Sequence, residues 1–180
     1  TARDTRSMKR YRNLRPFEKK LLSRYIRALV PTARSKNHPM SDIATRQIQL
    51  ALWRWTADGV DSETGIIKHD RLKYDLTVHP ASRKAHQLFK RSKRTGLRHE
   101  HIVPRAFLSS RIIAGDLNAQ EIYRLLRRFC RAVILTAREE KRVTPRNGMP
   151  DGWKWKNGDP YARYGPKLRG KIVNPPKGAN

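Results

Sequence analysis

Positive charge constrains this chain more than any other feature of its sequence. The 180 residues include 41 lysines and arginines but only 15 aspartates and glutamates, which gives a formal net charge of +26. A chain with this charge repels itself unless counter-ions or a polyanion screen it. The basic residues occupy segments with a folding pattern as well as the chain ends. Nucleic acid is therefore the expected partner, ahead of an anionic membrane surface.

Several other classes of protein are excluded by the sequence. No stretch approaches the ~20 apolar residues of a transmembrane helix. The single cysteine, Cys130, excludes an intrachain disulfide framework and a cysteine-rich zinc site, and we interpret it as a buried thiol. The first ten residues lack the apolar segment of a signal peptide. We therefore expect a cytoplasmic protein with no membrane partner.

The first half of the chain is predicted to be mainly helical. Residues 1–14 are arginine-rich and aperiodic, which indicates a flexible basic arm. Helical spacing of apolar residues predicts helices over about 16–30, ending before Pro31, and over 42–58, with a third short helix beginning near Pro80. Residues 59–80 are expected to be loop, and Trp53 and Trp55 to be core.

Residues 15–95 are therefore interpreted as a helical nucleic-acid-binding region. The exit of its third helix is strongly basic, and these cations are the predicted nucleic-acid contacts: Lys90, Arg91, Lys93, Arg94 and the nearby Arg98.

The pattern changes after residue 96, and the fold class predicted for the whole chain is α+β. Residues 97–103 alternate and end at Pro104, which predicts a strand, and residues 117–129 form an amphipathic helix. The β-branched run 131–136 predicts a second strand, and 137–143 a short helix. Residues 146–180 are rich in glycine, proline and aromatic residues and are expected to be an irregular tail that packs through Trp153 and Trp155.

The segment most able to carry chemistry is Arg98–Arg105. It places His99, Glu100 and His101 in succession. On a strand, successive side chains alternate, so the two histidines would share one face and Glu100 would lie on the other. A bend at the strand end can bring neighbours round to one metal. An imidazole can act as general base near neutral pH, and a carboxylate can hold a divalent cation.

The sequence Glu100-His101-Ile102-Val103-Pro104 resembles the first motif of the HNH, or ββα-metal, nucleases, typically Asp-His-Ile-x-Pro. The resemblance covers residues 97–143, so 96–145 is predicted to be an HNH-like core on a mostly helical body. It implies that Glu100 ligates a metal and that His101 is the general base. The final ligand would come from the helix after the second strand, where Glu140 is preferred to Glu139.

Further site residues follow from the same resemblance. His99 is a second candidate ligand or phosphate contact, and Arg105 is a candidate contact to the scissile phosphate. Carboxylate ligands suit Mg²⁺ or Mn²⁺. The alternative for Glu139 and Glu140 is that acids at a helix N-terminus simply complement its dipole.

The sequence departs from the family pattern in three places. Glu100 replaces the usual Asp, and a glutamate stands where the final His is expected. The middle Asn is also missing, because Cys130-Arg131 occupies its place. Asn118 lies nearby, but its spacing to Glu121 is that of a helix capping box, so capping is its expected role.

Two functions remain open from the sequence. The first is a metal-dependent endonuclease that hydrolyses phosphodiester bonds in DNA, of the restriction or phage and mobile-element type, encoded by a bacterium or a phage. RNA is not excluded as a substrate, and a homodimer would allow both strands to be cut. The second is a non-catalytic basic nucleic-acid-binding protein, such as a ribosome-associated or packaging factor.

Overall fold

The computed structural model describes residues 11–35 and 37–175 and has the α+β architecture predicted from the sequence. Its helices are α1 (Pro16–Arg34), α2 (Ser41–Ala57), α3 (Arg83–Lys90), α4 (Arg105–Ala114), α5 (Ala119–Phe129), α6 (Ala137–Glu140) and α7 (Gly165–Arg169). Its strands are β1 (Tyr11–Arg12), β2 (Gly59–Asp61), β3 (Ile67–Lys68), β4 (Ala81–Ser82), β5 (Leu97–His101), β6 (Ala132–Thr136) and β7 (Ile172–Val173). The first ten residues of the predicted arm lie outside the described ranges.

Four helices build the largest core. α1 packs against α2, α4 and α5, and α2 also packs against α4. Their buried side chains include Ile26, Ile48, Leu108 and Leu126. Because these faces are apolar, the cations of the helices remain on the outer side. Within the described residues, no helix combines the length and the apolar composition needed to cross a membrane.

The first helix is longer than predicted, because it continues through Pro31 to Arg34. A proline inside a helix costs a backbone hydrogen bond. Val30 and Ala33 flank Pro31 and are both buried in the main core. Burial of this last helical turn outweighs the local cost of the proline.

A four-stranded sheet lies beside the helices in the order β5-β6-β4-β7. β5 and β6 are antiparallel, with Leu97 opposite Thr136 and His101 opposite Ala132. β4 runs parallel to β6, and β7 closes the far edge antiparallel to β4. The predicted strand over 97–103 ends at His101, two residues early, because the chain bends at 102–103.

Segments that were expected to be irregular form short strands. β1 pairs with β2, and β2 pairs with β3, so residues 11–12 and 59–68 build a small antiparallel ribbon. The predicted loop and the end of the predicted arm are therefore ordered. Pairs of two residues are too short to show the alternation on which a strand prediction depends.

Two further differences lie in the second half of the chain. α4 begins directly after Pro104 and was not predicted, although Leu108 and Ile112 on its inner face are fully buried. The C-terminal segment is more regular than expected, because it contains α7 and supplies β7 to the sheet. The expected packing of its tryptophans is confirmed: Trp153 and Trp155 both contact Phe107 and Phe129.

Ser82 joins α3 to α6, and its loss is expected to destabilise the protein. Its hydroxyl donates to Glu139 Oε2 at 2.6 Å and accepts the backbone N–H of Ala85 at 3.0 Å. Ser82→Ala removes both bonds, and we expect the free energy of unfolding to fall by about 1–3 kcal/mol. Urea unfolding measures this change. Ser110→Ala, at an exposed position on α4, is the control, and its expected effect on the free energy of unfolding is within ~0.5 kcal/mol. Equal losses of stability in the two variants would contradict the stabilising role of the Ser82 hydroxyl.

Candidate active site

The side chains of β5 divide between two faces of the sheet. Glu100 still pairs with Val133, and His101 still pairs with Ala132. The strand therefore keeps its alternation to its last residue, and the bend comes only after His101. His99 and His101 share a buried face, and Glu100 lies on the other. The structure does not place the predicted base beside the predicted metal ligand.

The carboxylate of Glu140 acts electrostatically on that of Glu100. α6 packs across β5 as well as β6, and the charge of Glu140 reaches Glu100. Burial raises the pKa of the Glu100 carboxyl above its ordinary value, Arg163 opposes this effect, and Glu140 raises the pKa further. Within the described residues, neither Glu100 Oε2 nor the Glu140 carboxylate accepts a hydrogen bond. Three carboxylate oxygens thus remain available on this face.

Arg163 organises the end of β5. Its side chain is 1% exposed. Nη1 donates to Glu100 Oε1 and to the His101 carbonyl, both at 3.0 Å. Nε and Nη2 donate to the carbonyls of Pro145 and Arg146 at 2.6 and 2.8 Å. A single guanidinium therefore ties the Glu100 carboxylate and the His101 peptide to the segment that follows α6.

Glu139 has a structural role in this conformation. Its Oε2 accepts from the Thr136 backbone N–H at 3.0 Å and from the Thr136 hydroxyl at 2.9 Å, in addition to the Ser82 hydroxyl. The bond from the Thr136 N–H and the return bond from the Glu139 N–H to the Thr136 hydroxyl, at 3.2 Å, form a capping box at the start of α6. The structure therefore favours Glu140 over Glu139 as the partner of Glu100.

The opposite face of β5 carries a cluster of three imidazoles against Trp53. The ring centroid of His99 lies 5.2 Å from that of His101 and 5.1 Å from that of His79. Trp53 lies 4.8 Å from His99 and 5.7 Å from His101. Trp53, which was predicted to be core, is half-buried and covers the histidines.

His101 is held as a neutral imidazole. Burial, reinforced by the charge of Arg105, lowers the pKa of His101 to about 3. Its Nε2 lies 3.1 Å from the Thr56 hydroxyl, which donates its own hydrogen to the Trp53 carbonyl at 3.2 Å. The imidazole also forms a hydrogen bond with the Leu52 backbone, which opposes the lowering of its pKa. The ring is therefore neutral at pH 7, and so low a pKa makes it a weaker general base than an ordinary imidazole.

The other two histidines have unused hydrogen-bonding groups. Neither ring nitrogen of His99 has a partner within the described residues, and the same holds for Nε2 of His79. Burial lowers the pKa of His79 to about 4 and that of His99 well below its ordinary value. Buried polar atoms of this kind are commonly satisfied by ordered water or a ligand.

Arg105 lies on the histidine face as well. Its guanidinium is 5.0 Å from the Trp53 ring, and Nη1 donates to the Gln49 carbonyl at 3.3 Å. Lys73 lies 5.1 Å from the same ring. The charge of Arg105, the predicted phosphate contact, thus acts on both His101 and Glu100.

The basic exit of α3 is exposed, as a nucleic-acid contact requires. All five predicted residues lie on the surface: Lys90, Arg91, Lys93, Arg94 and Arg98. Arg94 lies over the Phe89 ring, and Arg98 donates to the carbonyls of Thr95 and Leu97. These contacts hold two of the three guanidinium groups at the surface beside β5.

Two of the predicted minor roles agree with the structure. Cys130 is a buried thiol whose pKa is raised to about 12 by burial, and Asn118 caps α5 through the predicted box with Glu121. Within the described ranges, no three His, Cys, Asp or Glu side chains converge as a metal-binding group. A metal at Glu100 and Glu140 would therefore take its remaining ligands from water or substrate.

Arg163, Thr56 and His79 belong to the site but were not singled out from the sequence. Arg163 is one of 41 basic residues in a segment that looked irregular, and nothing local marks it as buried. No family model, curated protein or solved structure matches the chain. The geometry of the site therefore carries the functional argument.

Proposed function

We propose that the protein is a metal-dependent endonuclease that hydrolyses phosphodiester bonds in DNA. The observation that supports the proposal is the electrostatic influence of Glu140 on Glu100, at an antiparallel strand pair that is followed directly by a short helix. These two residues are forty positions apart, and the resemblance to HNH nucleases requires them to meet. Two such sites in a homodimer would cut both strands.

The carboxylates of Glu100 and Glu140 fit a hard divalent cation. Burial is the main cause of the raised pKa of Glu100, and the negative charge of Glu140 adds to it. Mg²⁺ commonly binds through one or two carboxylates and keeps several waters. When bound, Mg²⁺ or Mn²⁺ supplies positive charge that stabilises a phosphoryl group under attack. Arg163 fixes one oxygen of Glu100 and leaves the other free to bind.

The remaining catalytic roles fall to residues at the end of β5. In the proposed mechanism His101 takes a proton from the attacking water, which requires the chain at the end of β5 to turn the ring toward Glu100. Arg105 and the cations at the exit of α3 bind and orient the phosphate backbone. The shared guanidinium of Arg163 fixes the Glu100 carboxylate and the peptide that follows His101.

Removing either carboxylate is expected to raise the metal requirement. Glu100→Gln and Glu140→Gln each remove one charged oxygen ligand while keeping side-chain size, so the Mg²⁺ or Mn²⁺ concentration for half-maximal cleavage should rise by about tenfold or more. Asp151→Asn removes a charge from an exposed site in the same half of the chain and serves as the control. Unchanged metal dependence in both glutamate variants would contradict the proposed site.

A second function is favoured by one specific observation. His101 is 5% exposed and faces away from Glu100, so the three residues do not converge in this conformation. A non-catalytic nucleic-acid-binding protein would need only the charge of +26 and the exposed basic edge. Nucleic-acid binding with no cleavage, whichever divalent metal is added, would support this function instead.

A further inference from the structure

A cavity of about 520 Å³ opens beside α6, and of the residues discussed above it touches Thr136 and Glu139. Its wall is largely apolar and includes Tyr164, Pro166 and Leu168. Its volume lies within the ~300–1,000 Å³ that small-molecule sites span. The cavity can therefore hold a group about as large as one nucleotide.

Five cations surround the cavity and come from four separate parts of the chain. They are Lys84 in α3, Arg138 in α6, Arg142 just after it, and Lys167 and Lys171 at the C-terminal segment. All five are exposed, and within the described residues none of their side chains forms an ion pair or a hydrogen bond. Glu139 is the one acid among the lining residues, and its carboxylate is engaged by Ser82 and Thr136. The rim thus presents uncompensated positive charge.

A buried polar group without a partner belongs to one of the lining residues. Tyr164 is 2% exposed, and its hydroxyl has no hydrogen-bond partner among the described residues. Burial raises the pKa of this hydroxyl well above its ordinary value, and the charge of Glu100 raises it further. Tyr164 therefore lines the cavity while its hydroxyl lies within electrostatic reach of Glu100.

We propose that this cavity binds one nucleotide of a single-stranded nucleic acid, with the base against its apolar wall and the flanking phosphates on its five cations. An apolar wall inside a cationic rim matches the two parts of a nucleotide, and proteins that bind single strands combine the same elements. A duplex keeps its bases stacked and would offer phosphates alone. The choice of ligand rests on the nucleic-acid function proposed above, but the site does not require hydrolysis.

Binding of a fluorescein-labelled 12-nucleotide single strand, measured by anisotropy in EDTA, tests the cavity separately from cleavage. Arg142→Ala/Lys171→Ala removes two rim cations, and Lys20→Ala/Arg24→Ala removes two exposed cations from α1. We expect the rim variant to lose about tenfold or more in affinity, and the salt slope to fall by about 1.4, as ~0.7 per lost single-strand phosphate contact requires. The α1 variant should lose much less affinity for the single strand.

Crosslinking gives a second measurement that does not depend on charge. A 5-iododeoxyuridine strand should crosslink to the peptide containing residues 161–171. Equal losses in the two double variants, or a crosslink confined to other peptides, would overturn the proposal. If the wild-type protein binds the strand through the cavity but cleaves nothing in any metal, the nuclease function fails while the cavity site stands.

Discussion

Replacing His101 by alanine is expected to reduce phosphodiester cleavage by about 10²–10⁴-fold, the range typical for loss of a general base. Nucleic-acid binding should remain nearly unchanged, because one neutral, buried imidazole contributes little to phosphate affinity. Single-turnover cleavage and anisotropy measure the two quantities. Full activity in a clean His101→Ala preparation would contradict the catalytic assignment.

The buried position of His101 calls for a matched control. His101→Ala also removes the contact with the Thr56 hydroxyl, so part of its effect will be structural. Thr56→Val removes the same contact and keeps the imidazole. We expect Thr56→Val to stay within about tenfold of wild-type activity, since general-base loss accounts for ~10²-fold or more. Equal losses in the two variants would show that the hydrogen bond, and not proton transfer, explains the effect.

Replacing Arg163 by alanine is expected to cost about 3–5 kcal/mol of unfolding free energy, as for other buried pairs that lose one partner. The variant leaves the Glu100 carboxylate unpaired and four carbonyls without their donor: His101, Ile102, Pro145 and Arg146. Chemical denaturation with far-UV circular dichroism measures the loss. Arg163→Lys should recover little of the lost unfolding free energy, because one ammonium group cannot reproduce the planar set of donors of a guanidinium group.

The effect of Arg163 can be separated from the removal of charge in general. Arg169→Ala, six residues further on, breaks an exposed pair with Asp159 and should cost no more than ~1 kcal/mol. Combining Arg163→Ala with Glu100→Gln should cost less than the sum of the two single changes, because the unpaired charge is gone. Additive losses would show that Arg163 stabilises the backbone alone.

Local features of this fold could be predicted from the sequence. The alternation of His99, Glu100 and His101 and the capping boxes at Asn118 and Thr136 all depend on neighbours within three residues, and the structure contains each of them. The apolar faces of the long helices follow in the same way from their spacing.

The remainder could not be predicted because it depends on distant parts of the chain. Arg163 meets Glu100 across 63 positions, and no local signal distinguishes it from other arginines. The bend after β5 falls one residue too late to turn His101 toward Glu100, since pairing with Ala132 holds that residue in the sheet. Such pairing is set by the partner strand and not by the motif itself.

Incubation of the full chain with supercoiled plasmid in Mg²⁺, Mn²⁺ or EDTA tests the central claim most directly, with single-stranded DNA and RNA as parallel substrates. We predict nicked and linear products with Mg²⁺ or Mn²⁺ and none with EDTA, together with loss of products in His101→Ala. The contradicting result is a folded preparation that binds the plasmid but leaves it supercoiled with every metal. That result would support the non-catalytic binding protein instead of the endonuclease.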